Sequence, residues 1–150
     1  MIHVMASSVI NAPISSVWKL IRDFGALGRW LPGVKSCVIE GDDSGDRVGA
    51  IRRVEMGDVG VIREQLLALS DVDHAVTFSI IESALPIRNY RSTISLLPIT
   101  ASNGTFIQWR GQFEASANHA ASMEARMPTQ IYQPAFDRLA EILASESTPS

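Results

Sequence analysis

The segment AASMEARMPTQIYQPAFDRLAEILA (residues 120–144) decides the fold, because it is the one stretch long and periodic enough to form a long buried helix. Its apolar residues recur at the spacing of one helical face, and polar residues occupy the other directions. Pro134 lies inside the pattern and predicts a kink, or free carbonyl groups near residue 130. The apolar face comprises Ala120, Met123, Met127, Ile131, Ala135, Phe136, Leu139 and Leu143. We expect the rest of the chain to wrap around this helix.

The two halves of the helix carry different apolar side chains. Met123 and Met127 lie in the first half with Pro128, whereas the second half carries Leu, Ile and Phe. Methionine is flexible and fills irregular gaps, so a methionine stripe is typical of a core. It would also suit the roof of a cavity. The residue types alone leave both interpretations open.

Composition limits the class of protein. The length of 150 residues suits one domain, and we predict a single ligand-binding domain over residues 1–150 with a frayed tail at 145–150. With 46% hydrophobic and 19% charged residues the chain is globular, and a net charge of -3 leaves no basic surface for nucleic acid. The single cysteine, Cys37, cannot form an internal disulfide, and no metal-ligand spacing occurs. The sequence predicts neither a metal nor a cofactor.

The sequence also bears on location. The N-terminal residues lack a basic leader followed by an apolar segment, and no window approaches the roughly 18 apolar residues of a membrane span. We therefore expect a cytoplasmic protein with no stable membrane insertion. A homodimer is kept as one option for the oligomeric state.

The elements before the long helix follow a simple order. The sequence predicts a strand at Ile2–Asn11, a helix that starts at Pro13 and ends at Gly25, and a helical turn at Ala26–Trp30. Short turns then separate consecutive strands, which indicates an antiparallel meander in an α+β fold. The six further strands are expected at Val34–Glu40, Arg47–Met56, Val59–Ser70, Ala75–Ile81, Ile87–Leu97 and Thr105–Ala115.

Several phrases in this order resemble a known superfamily. They are INAPISSVWKLIRDFGALGRWLPGV (10–34), GDRVGAIRRVEMGDVGVIREQL (45–66), SALPIRNYRSTISLLP (83–98) and TFIQWRGQF (105–113). Through them the chain resembles the START-like (SRPBCC) superfamily, within it the polyketide cyclase/dehydrase and lipid-transport group. The resemblance implies a helix-grip fold: a seven-stranded curved antiparallel sheet around a long C-terminal helix, with two short helices after strand 1. The phrases VKSC (34–37), FSII (78–81) and IRNYRS (87–92) are also similar to plant abscisic-acid receptors.

Lys35 is the first candidate for a ligand contact. Strand alternation places it on one face with Cys37 and Ile39, but both faces of this strand are partly apolar. A solvated lysine and a lysine in a pocket are therefore both compatible with the pattern. In the receptors the matching lysine points into the cavity, so the resemblance implies an anionic or carbonyl-bearing ligand.

Glu64 is the second candidate, because it alternates with the apolar Ile62, Leu66 and Ala68. A carboxylate on an apolar face needs a partner, and we expect Lys35 to supply it in a buried pair. The resemblance implies the same inward direction for Glu64. An ordinary exposed strand glutamate stays the alternative.

Aromatic residues are expected to complete the pocket. Tyr90 alternates with Ser92, Phe78 with Ile80, and Trp109 with other apolar residues, although a filled core would use the same residue types. The residues predicted to bind ligand are Lys35, Glu64, Phe78, Ile80, Ile87, Tyr90, Ser92, Trp109, Met127 and Ile131. Loops 56–60 and 83–87 should flank the mouth. They lack the gate and latch phrases of the receptors, which argues against a hormone-receptor role with a phosphatase partner.

An enzymatic role has few candidate groups. His3, His74 and His119 are not placed on a cavity face by periodicity, and no catalytic triad or phosphate-binding glycine motif occurs. The sequence thus favours a carrier or sensor that binds a small hydrophobic or aromatic ligand in an internal cavity. The alternative is a cyclase or dehydratase acting on an aromatic polyketide, which would use Lys35, Glu64 and Tyr90. A structural protein with a filled core is the third class.

Overall fold

The computed structural model describes residues 1–41 and 43–147. Seven antiparallel strands form one sheet in the order β1-β7-β6-β5-β4-β3-β2. Every neighbouring pair is antiparallel, as the short predicted turns imply. The strands are β1 (Ile2–Ile10), β2 (Val34–Ile39), β3 (Ile51–Met56), β4 (Gly60–Ser70), β5 (Ala75–Glu82), β6 (Arg88–Ile99) and β7 (Gly104–Glu114).

The helical elements are two short helices after β1 and a long C-terminal region. Helix α1 (Ile14–Ile21) follows Pro13, and a 3₁₀ helix spans Phe24–Arg29. The C-terminal region consists of α2 (Ala117–Arg126), a π-helical segment (Met127–Tyr132) and α3 (Gln133–Ser147). The predicted α+β helix-grip architecture is therefore confirmed. Strand β3 begins four residues later than predicted, and α3 includes part of the predicted tail; residues 148–150 lie outside the described residues.

The π-helical segment coincides with the proline pair of the C-terminal region. Pro128 and Pro134 have no backbone N–H, so each removes a donor from the ordinary helical ladder. The N–H of Gln133 donates instead to the carbonyl of Pro128, five residues earlier. The disturbance predicted near residue 130 takes this form. It divides the long helix into two halves with different packing.

The half after the π segment packs into the core. Ala135, Phe136 and Leu139 are at most 1% exposed, and Leu143 is 5% exposed. In α2, by contrast, Met123 is the buried residue, and most of its neighbours are exposed. Burial of large apolar side chains is the main stabilising term of folding, so α3 anchors the helix to the sheet more firmly than α2 does. This difference leaves space under α2.

Candidate functional site

A cavity of about 590 Å³ lies between the sheet and the C-terminal helices. The 3₁₀ helix with the loop after it, strands β3 to β7, α2 and the π segment all contribute to its wall. Most of the wall is apolar, which is typical of small-molecule sites. Its apolar residues include Leu27, Leu31, Val54, Met56, Val59, Ile62, Phe78, Ile80, Leu85, Trp109, Met123, Met127 and Ile131.

Seven of the ten residues predicted to bind ligand line this cavity. They are Glu64, Phe78, Ile80, Tyr90, Trp109, Met127 and Ile131. The other three, Lys35, Ile87 and Ser92, are not part of the lining. Ser92 is nevertheless buried, at 2% exposure, and Ile87 packs half-buried against the core.

Lys35 corrects the prediction most clearly. Its side chain is exposed, and its Cε lies beside Gly57 instead of Glu64. The pairing of β2 with β3 changes register between Val34 and Ser36, where an extra residue bulges from the strand. A bulge interrupts the two-residue alternation of side chains, so alternation could not place Lys35. The predicted Lys35–Glu64 pair is wrong.

Arg52 takes the place that was predicted for Lys35. It faces Glu64 across the β3–β4 pair, and the two side chains are 4% and 11% exposed. The Nε and Nη2 atoms of Arg52 lie 2.8 and 2.7 Å from Glu64 Oε1, and Nη1 donates to the carbonyl of Phe24 at 3.0 Å. The buried carboxylate therefore has the cationic partner that its position requires.

The Arg52 guanidinium also lies between two aromatic rings. Its Cζ is 4.0 Å from the ring centroid of Phe24 and 4.7 Å from that of Phe78. A weakly hydrated guanidinium is suited to such stacking, and each cation–π contact adds stability in a desolvated site. Sequence reasoning missed Arg52, although it alternates with the buried Ala50 and Val54. The sequence pattern was ambiguous because Arg53 is the next residue, and the two arginines point to opposite faces of the strand.

A pair of tyrosine hydroxyl groups lies between strand β6 and the π segment. The hydroxyl groups of Tyr90 and Tyr132 are hydrogen-bonded at 2.5 Å, and Tyr132 stacks on Trp109 with ring centroids 4.1 Å apart. Gly111 makes room for this arrangement, since a Cβ at that position would clash with the Tyr132 hydroxyl. Tyr132 is fully buried and was also missed, although it lies four residues before Phe136 on the apolar face.

Both phenols resist ionisation. Burial raises the pKa of Tyr90 to about 12, and the negative charge of Glu64 adds to the rise. Burial also raises the pKa of Tyr132, with further contributions from Tyr90 and Glu64. A phenolate is disfavoured here because it would lose its hydration in an apolar interior. At neutral pH both side chains are therefore protonated.

Three buried polar atoms have no hydrogen-bond partner within the described part of the chain. They are Trp109 Nε1, Ser92 Oγ and Trp30 Nε1. Ser92 and Trp109 lie close enough to the Tyr90 hydroxyl to lower its pKa, but neither pair meets hydrogen-bond geometry. Buried polar groups are almost always paired in folded proteins, so unpaired groups beside a cavity are candidates for ligand contacts.

The rim of the cavity consists of its exposed lining residues. It includes Asp58 in the β3–β4 turn, Pro86 in the β5–β6 loop, and His119, Ser122 and Arg126 in α2. Both loops predicted at the mouth thus contribute to it. His119 was not expected on a cavity face, but α2 begins at Ala117 and carries it to the rim.

The structure also places Ala68 and Cys37, two further residues of the strand patterns. Ala68 is exposed, because the β4–β5 register shifts between Leu66 and Ala68 and ends the alternation that Glu64 follows. Cys37 is half-buried, and burial raises the pKa of its thiol, which makes it less reactive at neutral pH. Within the described residues no cluster of three or more His, Cys, Asp or Glu side chains could hold a metal ion.

Comparison with known proteins agrees with this geometry. The sequence model of the family described as polyketide cyclase/dehydrase and lipid transport matches residues 1–144. The chain belongs to this family. A solved START superfamily protein from Mycobacterium smegmatis has the same fold, with a TM-score of 0.80 at 14% identity over 98% of this chain and 100% of that one.

Two other solved structures are similar over almost the whole chain. The protein XoxI of Bacillus cereus superposes with a TM-score of 0.85 at 27% identity, over 99% of this chain and 100% of that one. A protein of Nitrosospira multiformis superposes with a TM-score of 0.78 at 31% identity, over 97% and 98% of the two chains. These likenesses extend over the sheet and the C-terminal helices together.

Among curated proteins, this member of the polyketide cyclase/dehydrase and lipid transport family is similar to two abscisic acid receptors of Arabidopsis thaliana. PYL7 is 28% identical over 103 residues, which is 65% of this chain and 47% of the receptor. PYL10 is 31% identical over 90 residues, 58% of this chain and 48% of the receptor. The matches thus span about half the length of these relatives. In the described residues, no helix is long and apolar enough to cross a membrane.

Proposed function

We propose that this protein binds one small hydrophobic or aromatic molecule in the cavity between the sheet and α2, as a carrier or sensor. The observation that carries the proposal is the cavity of about 590 Å³, whose wall is mostly apolar and contains the Arg52–Glu64 ion pair and Tyr90, whose hydroxyl is bound to that of Tyr132. Its volume falls within the range of about 300–1,000 Å³ that is common for ligand sites. A filled core would leave no such space.

Membership of the family supports the same proposal. The family description includes lipid transport, and the two curated relatives are receptors for a small molecule, abscisic acid. One fold can serve many functions, so the site itself has to carry the argument. The apolar wall and its few polar groups fit a ligand that is largely apolar.

The polar groups of the cavity favour binding over turnover. A cyclase or dehydratase needs a base, and Glu64, the one carboxylate buried in the cavity wall among the described residues, is bound to Arg52. The histidine of the lining, His119, lies exposed at the rim instead of inside the cavity. The tyrosine hydroxyls are protonated at neutral pH and can donate a hydrogen bond, but they cannot act as bases there. Catalysis on an aromatic polyketide therefore stays the second candidate.

A fluorescence titration tests the proposal. We expect the uncharged dye 1-aminoanthracene to bind at one molecule per chain and to increase in emission. Ile80→Trp should fill part of the cavity and abolish the enhancement, because Ile80 lies in its wall. Ile81→Trp is the matched control, since the next residue is 44% exposed and not part of the wall.

The outcomes of this titration are distinct. Saturable binding that Ile80→Trp removes and Ile81→Trp keeps would support an internal site. If the folded wild-type protein fails to bind the dye or fatty acids, the filled-core interpretation is correct. Equal binding by both variants would place the dye on the surface. Cytoplasmic location, a single domain over residues 1–150 and a homodimer stay predictions, which this titration does not address.

A further inference from the structure

The polar groups at the Tyr90 side of the cavity are mostly hydrogen-bond donors. An indole N–H can donate but not accept, and Trp109 Nε1 has no acceptor in the described structure. The bond between Tyr90 and Tyr132 uses one hydroxyl proton, and the other proton stays free. Ser92 Oγ is buried nearby and also unpaired, but Ser92 is not part of the cavity lining. At the inner end of the cavity, beside Tyr90 and Trp109, the indole N–H and one phenol proton are therefore left without an acceptor.

No free cation accompanies these donors within the described residues. The Arg52 guanidinium already contacts Glu64 and the carbonyl of Phe24, and Lys35 is exposed outside the cavity. The other arginine of the wall, Arg126, is exposed at the rim, where its Nε donates to Gln130. A carboxylate at the inner end would thus be buried without a cationic partner, which is strongly unfavourable.

The negative charge of Glu64 also disfavours a ligand carboxylate at the inner end. It disfavours a negative charge on either tyrosine hydroxyl, as the raised pKa of both phenols indicates. A ligand anion beside those hydroxyls would meet the same repulsion. An uncharged acceptor, such as a carbonyl oxygen, would instead satisfy the free donors without bringing in a charge.

We propose that the inner end of the cavity selects an uncharged aromatic compound, whose carbonyl oxygen accepts hydrogen bonds from Trp109 and Tyr90, the two donor side chains of this end that line the cavity. The surrounding rings supply flat apolar surface, because Trp109 is stacked on Tyr132 and packs edge-on against Phe78. The inference rests on the proposed function and adds the charge class of the ligand. Of the anionic and carbonyl-bearing ligands that the resemblance implied through Lys35, it favours the carbonyl-bearing one.

Competition against 1-aminoanthracene with three compounds of one tricyclic skeleton tests the inference. Fluorene has no acceptor, 9-fluorenone adds a carbonyl, and fluorene-9-carboxylate adds a charge. We expect 9-fluorenone to bind roughly three- to tenfold more tightly than fluorene, the range for one net hydrogen bond. The carboxylate should bind at least about tenfold more weakly than the ketone.

Three variants then locate the preference for the ketone. Trp109→Phe and, independently, Tyr90→Phe each remove a donor but keep a ring, so the affinity ratio of ketone to hydrocarbon should fall toward one. Trp30→Phe is the matched control, because Trp30 Nε1 is also buried and unpaired but Trp30 is not part of the cavity wall. Using a ratio within each variant cancels general effects on stability.

The possible results distinguish failure of the proposed function from failure of the proposed preference for an uncharged ketone. If 1-aminoanthracene fails to bind, the proposed function fails. If the dye binds but ketone and hydrocarbon compete equally, the proposed function stands and the inference is wrong. Tightest binding by the carboxylate, weakened by Arg126→Gln, would also overturn the inference and place an anion at the rim. An equal loss of ketone preference in Trp30→Phe would remove the role of Trp109.

Discussion

Replacing Arg52 by methionine should destabilise the protein strongly, because it leaves the Glu64 carboxylate buried without its partner. The two side chains are 4% and 11% exposed, and removing one member of a buried ion pair typically costs about 3–5 kcal/mol. Arg52→Met also removes the guanidinium from between the rings of Phe24 and Phe78. We therefore expect a loss of unfolding free energy within or above that range.

Removing the other charge of the pair, by Glu64→Gln, should lower the free energy of unfolding by less. Arg52 would keep its bond to the carbonyl of Phe24 at 3.0 Å and both ring contacts, so we expect a loss near the lower end, about 3 kcal/mol. The double variant Arg52→Met/Glu64→Gln removes both charges together. It leaves the carbonyl of Phe24 without a donor, a defect of about 1–3 kcal/mol. The two mutations should consequently show a coupling energy of at least about 2 kcal/mol.

Urea unfolding of the wild type, both single variants and the double variant at pH 7 measures this cycle. Arg63→Met is a matched control on the neighbouring position of β4, because Arg63 pairs with Glu40 and Glu82 at the surface. Its unfolding midpoint should change far less than that of Arg52→Met. Additive effects of no more than about 0.5 kcal/mol for Arg52 and Glu64 would refute the argument and indicate a solvated pair.

Four further predictions concern the tyrosine pair and the mouth of the cavity. The chain has two tyrosines, both buried, so absorbance at 295 nm should show no phenolate near pH 10 in the native protein; a transition there would contradict the burial. The pKa of Tyr90 is near 10 in the unfolded state and about 12 in the folded state, so the unfolded state holds fewer protons between these pH values. The free energy of unfolding should therefore fall as pH rises through this window, and it should fall less in Tyr90→Phe. Gly111→Ala should lower the melting temperature through its clash with Tyr132, and Tyr132→Phe should recover part of the loss; an unchanged melting temperature would show that the site is looser than described. Amides of loops 56–60 and 83–87 should exchange faster than β4 and β5, and bound 1-aminoanthracene should slow both loops; equal protection with and without dye would remove their role at the mouth.

Two-residue alternation predicted several inward residues correctly. Glu64, Tyr90 and Trp109 face inward because burial alternates along β4 from Ile62 to Leu66, along β6 from Tyr90 to Leu96 and along β7 around Trp109. The strand pairing shifts beside Glu64 and Tyr90, but the alternation that follows is intact. Alternation fails for a residue that itself bulges from its strand. The register shift between Val34 and Ser36 explains why Lys35 could not be placed by the same reasoning.

The positions of Arg52 and Tyr132 could not be predicted from the pattern of one strand or one helix. Arg52 faces Glu64 because the β3–β4 turn pairs Met56 with Gly60, which fixes the register of the whole hairpin. A single-strand pattern cannot give such a register. The Tyr132 hydroxyl meets Tyr90 through the path of the π segment and the space left by Gly111, neither of which periodicity contains.

Methyl NMR of the five methionines tests most directly whether the cavity between the sheet and α2 holds the ligand. Met56, Met123 and Met127 line the cavity, whereas Met1 and Met5 are 66% and 51% exposed. One equivalent of 1-aminoanthracene should shift the three cavity methyl resonances through its ring current and leave Met1 and Met5 unchanged. Shifts confined to Met1 and Met5, or no saturable shift in any of the five, would contradict an internal site.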